Sequence, residues 1–353
     1  MHLKRIIMII ILIIIINERE FKNILLKRKK RIGIIGVYHD QNAGNMLVKY
    51  SMYIKLKEYG FYPIIVSSIR KGQEKSLDFL KNKVKLKNIN NSFFELKMDD
   101  YDILMVNSDQ TWRMFEKNNF YDIGFLRFAE NWTIPKFIYG ASFGKDFWPY
   151  PKEVDRIVQK LLKNFTGISL RERGSIKLVE EHLGIKSDFV LDPTFLINKN
   201  YYLNLIKGIK KNDNFICVYQ LDQNKIIKEF IQKASNILNY KIYRVNQSSE
   251  NYVENFLFGI SNSKAVITDS YHGTVFSIIF NKPFISYINT FRGRERFYSL
   301  SMAFNISRRI LFPTRNETMN INLLKTPLNI NKTLFKELKK ISLMYLEKHL
   351  SIS

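Results

Sequence analysis

The stretch from residue 265 to 279 runs apolar, breaks into the turn Asp269-Ser270-Tyr271-His272-Gly273, and becomes apolar again. Four apolar or β-branched residues at 265–268 are the length of a buried strand, while Val275, Phe276, Ile278 and Ile279 recur on one helical face. A strand, a short polar turn and a helix in that order belong to an α/β chain. In an open α/β sheet, ligands bind outside the carboxyl ends of the strands, and the free N–H groups at the next helix start favour an anion. His272 is therefore expected to look into a cleft. The competing reading is a surface or helix-capping histidine, which the aspartate, serine and glycine crowding the same turn make less favoured.

Length and charge narrow the class of protein. A chain of 353 residues, 46% of them apolar, can fill the cores of two ordinary domains. The net charge of +24, with a pI near 9.8, calls for acidic partners such as an anionic membrane surface or phosphorylated small molecules. Much of that charge is lysine scattered among isoleucine and asparagine, which compositional bias explains equally well. No basic run interleaved with aromatics forms a nucleic-acid groove, so no nucleic-acid partner is expected. Cys217 is the single cysteine, which excludes an internal disulfide and a multi-cysteine zinc site and fits a reducing compartment. Its flanks place it in a buried strand as an inert thiol.

Residues 6–16 are an unbroken apolar run between Lys4-Arg5 and a basic segment ending Lys27-Arg28-Lys29-Lys30-Arg31. The run is too short to span a bilayer and no small-residue cleavage site follows it. Residues 1–30 are read as an extension that packs loosely or lies peripherally on an anionic membrane, and the protein as cytoplasmic.

The folded part is expected from residue 31. Strands are read at 31–37, 62–67, 102–106, 136–139, 167–172 and 188–191, with helices between them, giving a first Rossmann-like domain over 31–197. Its opening β-α-β unit has a glycine-bearing first turn but lacks the full dinucleotide fingerprint, so no NAD site follows. Residues 198–213 are polar and read as a linker. Over 214–330 a second series has strands at 215–219, 241–245, 265–268 and 283–287, and helices at 224–238, 251–261 and 273–280. A C-terminal helix at 334–349 lies within a last segment, 331–353. The fold class is thus α/β, two Rossmann-like domains facing across a cleft, and that cleft is the default active site. His182, beside Glu180 and Glu181, reads as a solvated surface residue.

Taken in order, the polar turns resemble the polysaccharide pyruvyl transferase family. The pieces are Asn42-Ala43-Gly44-Asn45, Ser108-Asp109-Gln110-Thr111-Trp112, Tyr139-Gly140-Ala141-Ser142-Phe143-Gly144, Ser169-Leu170-Arg171-Glu172, Leu191-Asp192-Pro193-Thr194, Thr268-Asp269-Ser270-Tyr271-His272-Gly273 and Arg292-Gly293-Arg294. Each is weak alone, whereas the ordered set, over residues 32–310, is specific. The resemblance implies a fold similar to GT-B glycosyltransferases and transfer of pyruvate from phosphoenolpyruvate to sugar hydroxyls, usually as a cyclic ketal. Asn45 stands where many relatives carry aspartate, and Ser270 where some carry arginine.

Phosphoenolpyruvate bears a carboxylate and a phosphate, which arginine forks bind bidentately. Arg171, Arg292 and Arg294 are the candidates, with Ser270, Gly273 and Thr274 at the helix start on the same donor side. Alternatively Arg171 pairs with Glu172 or Asp192, and Arg292 and Arg294 form a solvated basic loop. Ketal formation needs proton transfer, which suits His272, with Asp269 nearby to orient it. His39, Asn42, Asn45, Ser108, Asp109 and Gln110 are expected on the acceptor side, facing a sugar or lipid-linked glycan. No metal or cofactor is called for. Two alternatives stay open: a nucleotide-sugar glycosyltransferase of the same fold, whose diphosphate would suit the same helix start, and a non-enzymatic membrane-associated scaffold for glycan assembly.

Overall fold

The computed structural model describes residues 28–37, 42–68, 74–89, 92–114, 117–209, 214–288, 293–312 and 320–351. The extension of residues 1–27, and the candidates His39 and Arg292, lie outside the described residues. Of the basic run, Arg28 donates to Asp102 at 2.8 Å, and Arg31 contacts the same carboxylate.

Two parallel sheets carry the fold. The first contains β1 (Arg31–Ile35), β2 (Tyr62–Ser68), β3 (Leu86–Ile89), β4 (Ile103–Val106), β5 (Lys136–Ala141), β6 (Gly167–Leu170) and β7 (Asp188–Phe189), in the order β3-β2-β1-β4-β5-β6-β7. The second contains β8 (Phe215–Tyr219), β9 (Lys241–Arg244), β10 (Ala265–Thr268), β11 (Phe284–Tyr287) and β12 (Ile310–Leu311), in the order β12-β11-β10-β8-β9. In each sheet the chain builds outward in one direction, returns to the middle, and builds the other way. The strand order therefore reverses between β1 and β4 and again between β8 and β10, and a crevice opens beyond the strand ends at each reversal.

The helices follow from capping as much as from apolar stripes. Asn42 caps α1 (Ala43–Glu58), its side chain accepting from Gly44 N at 2.9 Å, and Ser270 caps α9 (Tyr271–Ile279), accepting from Gly273 N at 3.3 Å. Between them in the chain lie α2 (Glu74–Lys81), α3 (Lys117–Phe125), α4 (Lys152–Leu162), α5 (Arg173–Leu183), α6 (Lys199–Leu205), α7 (Lys225–Leu238) and α8 (Tyr252–Asn262); α10 (Glu295–Phe304) and α11 (Lys332–Leu350) follow. Cys217 is buried in β8, where burial pushes its thiol pKa up. His182 is exposed, stacked on Trp148 with ring centroids 4.6 Å apart.

The structure corrects or adds to the sequence reading at three points. The segment read as a polar linker contains α6, whose Tyr202 is fully buried and donates its hydroxyl hydrogen to Thr194 O at 2.8 Å. Two strands at sheet edges, β3 and β12, escape the sequence reading. One apolar cluster also runs through both halves, joining Met46 and Leu47 of α1 to Phe256 and Leu257 of α8 and Phe276 of α9. Tyr202 meets Phe276 edge-on, with centroids 4.9 Å apart.

Candidate active site

The two reversals face one another, and their turns share one buried polar cluster. Asp109 follows β4 with a left-handed backbone, φ 92°. A non-glycine residue there is strained and persists only where its surroundings over-determine it. Those surroundings are visible: Oδ1 accepts from Arg171 Nη2 at 2.9 Å and from Gln110 N at 2.9 Å, and Oδ2 accepts from Asn45 Nδ2 at 3.4 Å. Asn45 in turn accepts from the buried Lys49 ammonium one helical turn along α1.

Arg171, at the end of β6, is the centre of the cluster. Its Nη1 donates to Asp192 Oδ2 at 2.7 Å, Nη2 goes to Asp109, and Nε lies 3.4 Å from Glu172 Oε1. The guanidinium side chain has no exposed surface. Two of its nitrogens are thus held by protein carboxylates and Nε has only a charge contact, an arrangement that favours the ion-pair alternative over donor binding. Beside it in the cluster lies another buried guanidinium, Arg296 of α10. Arg171 and Arg296 lie over the same Tyr271 ring, 4.8 and 5.2 Å from its centroid.

His272, on the first turn of α9, is 3% exposed. Its Nε2 lies 3.5 Å from Asp192 Oδ2, a charge contact longer than a well-formed hydrogen bond. The carboxylate beside His272 is therefore Asp192. Asp269, expected in that role, instead accepts from Leu221 N at 2.7 Å and Asp222 N at 3.0 Å. It clamps the turn after β8 to the end of β10 across the second strand reversal. Being next to a histidine in sequence did not bring Asp269 to the imidazole, because its side chain is turned along the sheet edge.

Electrostatics separates the acids. Burial works against ionisation of Asp109, but Arg171, then His272 and Arg296, overcome it and hold the carboxyl at about 2. Asp192 is likewise opposed by burial, yet His272, Arg171 and Thr194 bring it well below the usual carboxylate range. Glu172 goes the other way: burial raises it despite Arg171. Burial, reinforced by the Arg171 charge, lowers Arg296 to about 10, so it stays a cation at neutral pH. Burial also raises Asp269.

The remaining sequence candidates divide between structure and site. Ser270 spends its side chain on the α9 cap, and Thr274 bonds Ser270 O at 3.1 Å and Ser286 at 2.6 Å. Gly273 is required because a Cβ there would overlap Thr268. Ser108 donates to Gly140 O at 2.7 Å and Asn42 caps α1, so both serve the scaffold. Gln110 accepts from Arg113 at 3.2 Å and packs on Gly144. Arg294 pairs with Asp146 and is half exposed, on a loop that Gly293 brings against the Gly144 carbonyl with a left-handed φ of 96°. Arg296, Asp192, Glu172, Lys49 and Tyr271 were missed as site residues. The signal for Arg296 was present in the alternation 292, 294, 296. Among the described residues no group of three or more His, Cys, Asp or Glu side chains is placed to hold a metal ion.

Two parallel sheets with opposed strand reversals and a charged site between them define a GT-B-like fold. Solved structures are similar to it. The UDP-GlcNAc 2-epimerase from Neisseria meningitidis aligns over 90% of this chain and 100% of its own at 12% identity, with a TM-score of 0.54. The enzyme of the same name from Methanocaldococcus jannaschii aligns over 90% and 99% at 12% identity, also with a TM-score of 0.54. At that identity the likeness speaks for the fold alone. The family model for polysaccharide pyruvyl transferase matches residues 42–290, and the chain belongs to this family of transferases. No curated protein matches it. No helix among the described residues is long and apolar enough to cross a membrane.

Proposed function

We propose that this protein transfers a pyruvyl group from phosphoenolpyruvate to a hydroxyl pair of a sugar or lipid-linked glycan destined for a surface or capsular polysaccharide. The observation that carries the reading is the buried His272 beside Asp192, next to two guanidinium groups, in a chain of the pyruvyl transferase family. In the reaction C3 of the enol gains a proton, one sugar oxygen bonds to C2, and the C2–O bond breaks with its electron pair leaving on phosphate. The second hydroxyl closes the ketal. Of the two hydroxyl protons lost, one balances the proton gained at C3 and the other leaves with phosphate. His272 carries the proton, as general acid or base. Arg296 and Arg294, with Lys49 on the opposite side, supply positive charge for the donor's carboxylate and phosphate, while Arg171 holds the acids in place. Asn45, Asp109 and Gln110 line the acceptor side. The reading places the protein in the cytoplasm, with residues 1–30 in at most peripheral contact with an anionic membrane.

The test is phosphate release from phosphoenolpyruvate with surface-sugar acceptors, together with detection of the pyruvylated product by mass. His272→Ala is expected to lower kcat by roughly a hundredfold to ten-thousandfold. Wild-type turnover in that variant at saturating donor would remove the histidine from the mechanism. Turnover of a nucleotide sugar, without phosphate release from phosphoenolpyruvate, would replace the reading with glycosyl transfer.

A further inference from the structure

His272 and Asp192 come from different halves of the chain and are each fixed independently. Asp192 follows β7. Its Oδ1 accepts from Thr194 N at 3.1 Å and Thr194 Oγ1 at 2.7 Å, and its Oδ2 accepts from Arg171 Nη1 at 2.7 Å. His272 is anchored by the Ser270 cap and by the close seating of Gly273 on Thr268. The ring bridges the two halves. Nε2 faces Asp192 Oδ2 at 3.5 Å and has no hydrogen-bond partner, although it is buried. On its other side the ring lies on Gly44, in the first turn of α1, where any Cβ would overlap Nδ1 and Cγ. Among the described residues the charged groups around the ring are Asp192, Asp109, Arg171 and, through Tyr271, Arg296.

A neutral imidazole has one donor and one acceptor nitrogen, and a fixed acceptor beside one of them decides which is which. Asp192 cannot turn away, because both its oxygens are held. Gly44 is the only residue type that leaves room for the ring at this distance. We propose that Asp192 is the positioning residue of His272, drawing the Nε2–H toward its Oδ2 so that Nδ1 is left to exchange the proton, with the Gly44 seat keeping the ring beside the carboxylate. The inference rests on the role given to His272 under Proposed function and adds the residue that orients it.

The experiment reads the histidine tautomer by 15N NMR of histidine-labelled full-length protein, with the His272 signals assigned by their loss in His272→Gln. Wild type is expected to show the Nε2–H tautomer. Asp192→Asn, which offers at most one acceptor oxygen, loses that preference. Gly44→Ala leaves every Asp192 hydrogen bond in place but sets its methyl into the ring, so its fold is checked by circular dichroism before the signal is read, and the wild-type tautomer decides the proposal if neither variant folds. Gly44→Ala is expected to lose the preference as well, because the added methyl holds the ring away. An Nδ1–H tautomer in wild type, or an unchanged Nε2–H signal in Asp192→Asn, overturns the positioning role. An unchanged signal in Gly44→Ala overturns the role of the Gly44 seat.

Kinetics supplies the second arm. Asp192→Asn is expected to lower kcat by at least roughly tenfold with KM unchanged, and to have no further effect in a His272→Gln background. Equal losses in both backgrounds mean a structural role only and overturn the proposal. If wild type itself releases no phosphate from phosphoenolpyruvate, the pyruvyl reading fails, while the tautomer result still decides whether Asp192 orients His272.

Discussion

Removing the Arg171 guanidinium would leave Asp109 and Asp192 ionised next to one another without the cation that both share. Breaking a buried ion pair from one side costs about 3–5 kcal/mol, because the remaining charge stays desolvated. Arg171→Met is therefore expected to fail first in chemical denaturation, with the midpoint falling by that equivalent, and not in donor affinity. An Arg171→Met protein with wild-type stability and a raised KM for phosphoenolpyruvate would return Arg171 to the donor site. The same residues set the acid limit. Asp109 titrates at about 2, below its ordinary 3.8, so its contribution is fully present above pH 3.8 and is lost as pH falls through 2. Its size is on the order of 2 kcal/mol. Asp192, also lowered, adds to this with the same sign, whereas Glu172, raised by burial, favours the folded state when protonated and opposes it as pH rises. Denaturant midpoints between pH 5 and pH 2 are expected to fall steeply in the wild type. A slope that is equally steep in Arg171→Met would show that the carboxylates are not the cause.

At the scale of elements, the start of α5 is completed by a helix from the other half of the chain. Its own N-cap residue, Glu172, makes no side-chain cap, since its carboxyl is turned inward beside Arg171. The orphaned amides go to α10: Gly174 N donates to Glu295 Oε1 at 3.2 Å and Arg173 N to Ser299 Oγ at 3.0 Å. A cap is worth about 0.5–2 kcal/mol, and a carboxylate at a helix N-terminus adds a favourable dipole interaction. Glu295→Ala is expected to lower stability by about 1 kcal/mol and to speed hydrogen exchange at the Gly174 amide, whose acceptor it removes. Unchanged exchange at that amide would show the contact to be incidental. This element also shows where the sequence stopped being legible. Apolar runs ending in polar turns identified β1, β4, β8 and β10 because these strands are central and buried on both faces. By contrast, β3 is Leu-Lys-Asn-Ile at an edge and β12 is only two residues long, too little apolar pattern to separate from loop. His272 was legible from its turn, but its partner was not, since Asp192 is 80 positions away in sequence. The arginine alternation was legible, but its inward-facing member, Arg296, was not singled out. With α10 beginning at Glu295, Arg294 goes outward to Asp146 and Arg296 inward to Tyr271, a parity that depends on where the helix starts.

For the whole molecule, order in sequence and order in space part company at α11. This helix follows the second sheet in the chain but packs on the first. Tyr345 donates its hydroxyl hydrogen to Ile138 O of β5 at 2.7 Å, Ser342 Oγ accepts from Leu191 N at 2.8 Å, and Glu347 accepts from the Tyr59 hydroxyl at 2.8 Å. Leu338, Tyr345, Leu346 and Leu350 are buried there, and His349 fills the space beside Gly167 that a Cβ would need. At about 1.5–3 kcal/mol for each buried side chain, these four contribute roughly 6–12 kcal/mol as an upper estimate. That is comparable to the about 5–15 kcal/mol by which a domain is stable. A chain ending at residue 331 also leaves the Leu191 N–H without its acceptor, directly before Asp192. Such a chain is therefore expected to lose the cooperative unfolding of the first sheet, with exchange protection disappearing at β5 and β7, although every residue of that sheet is still present. If the shortened chain instead melts cooperatively within a few degrees of the full-length protein, α11 is a surface addition and the first sheet is self-sufficient.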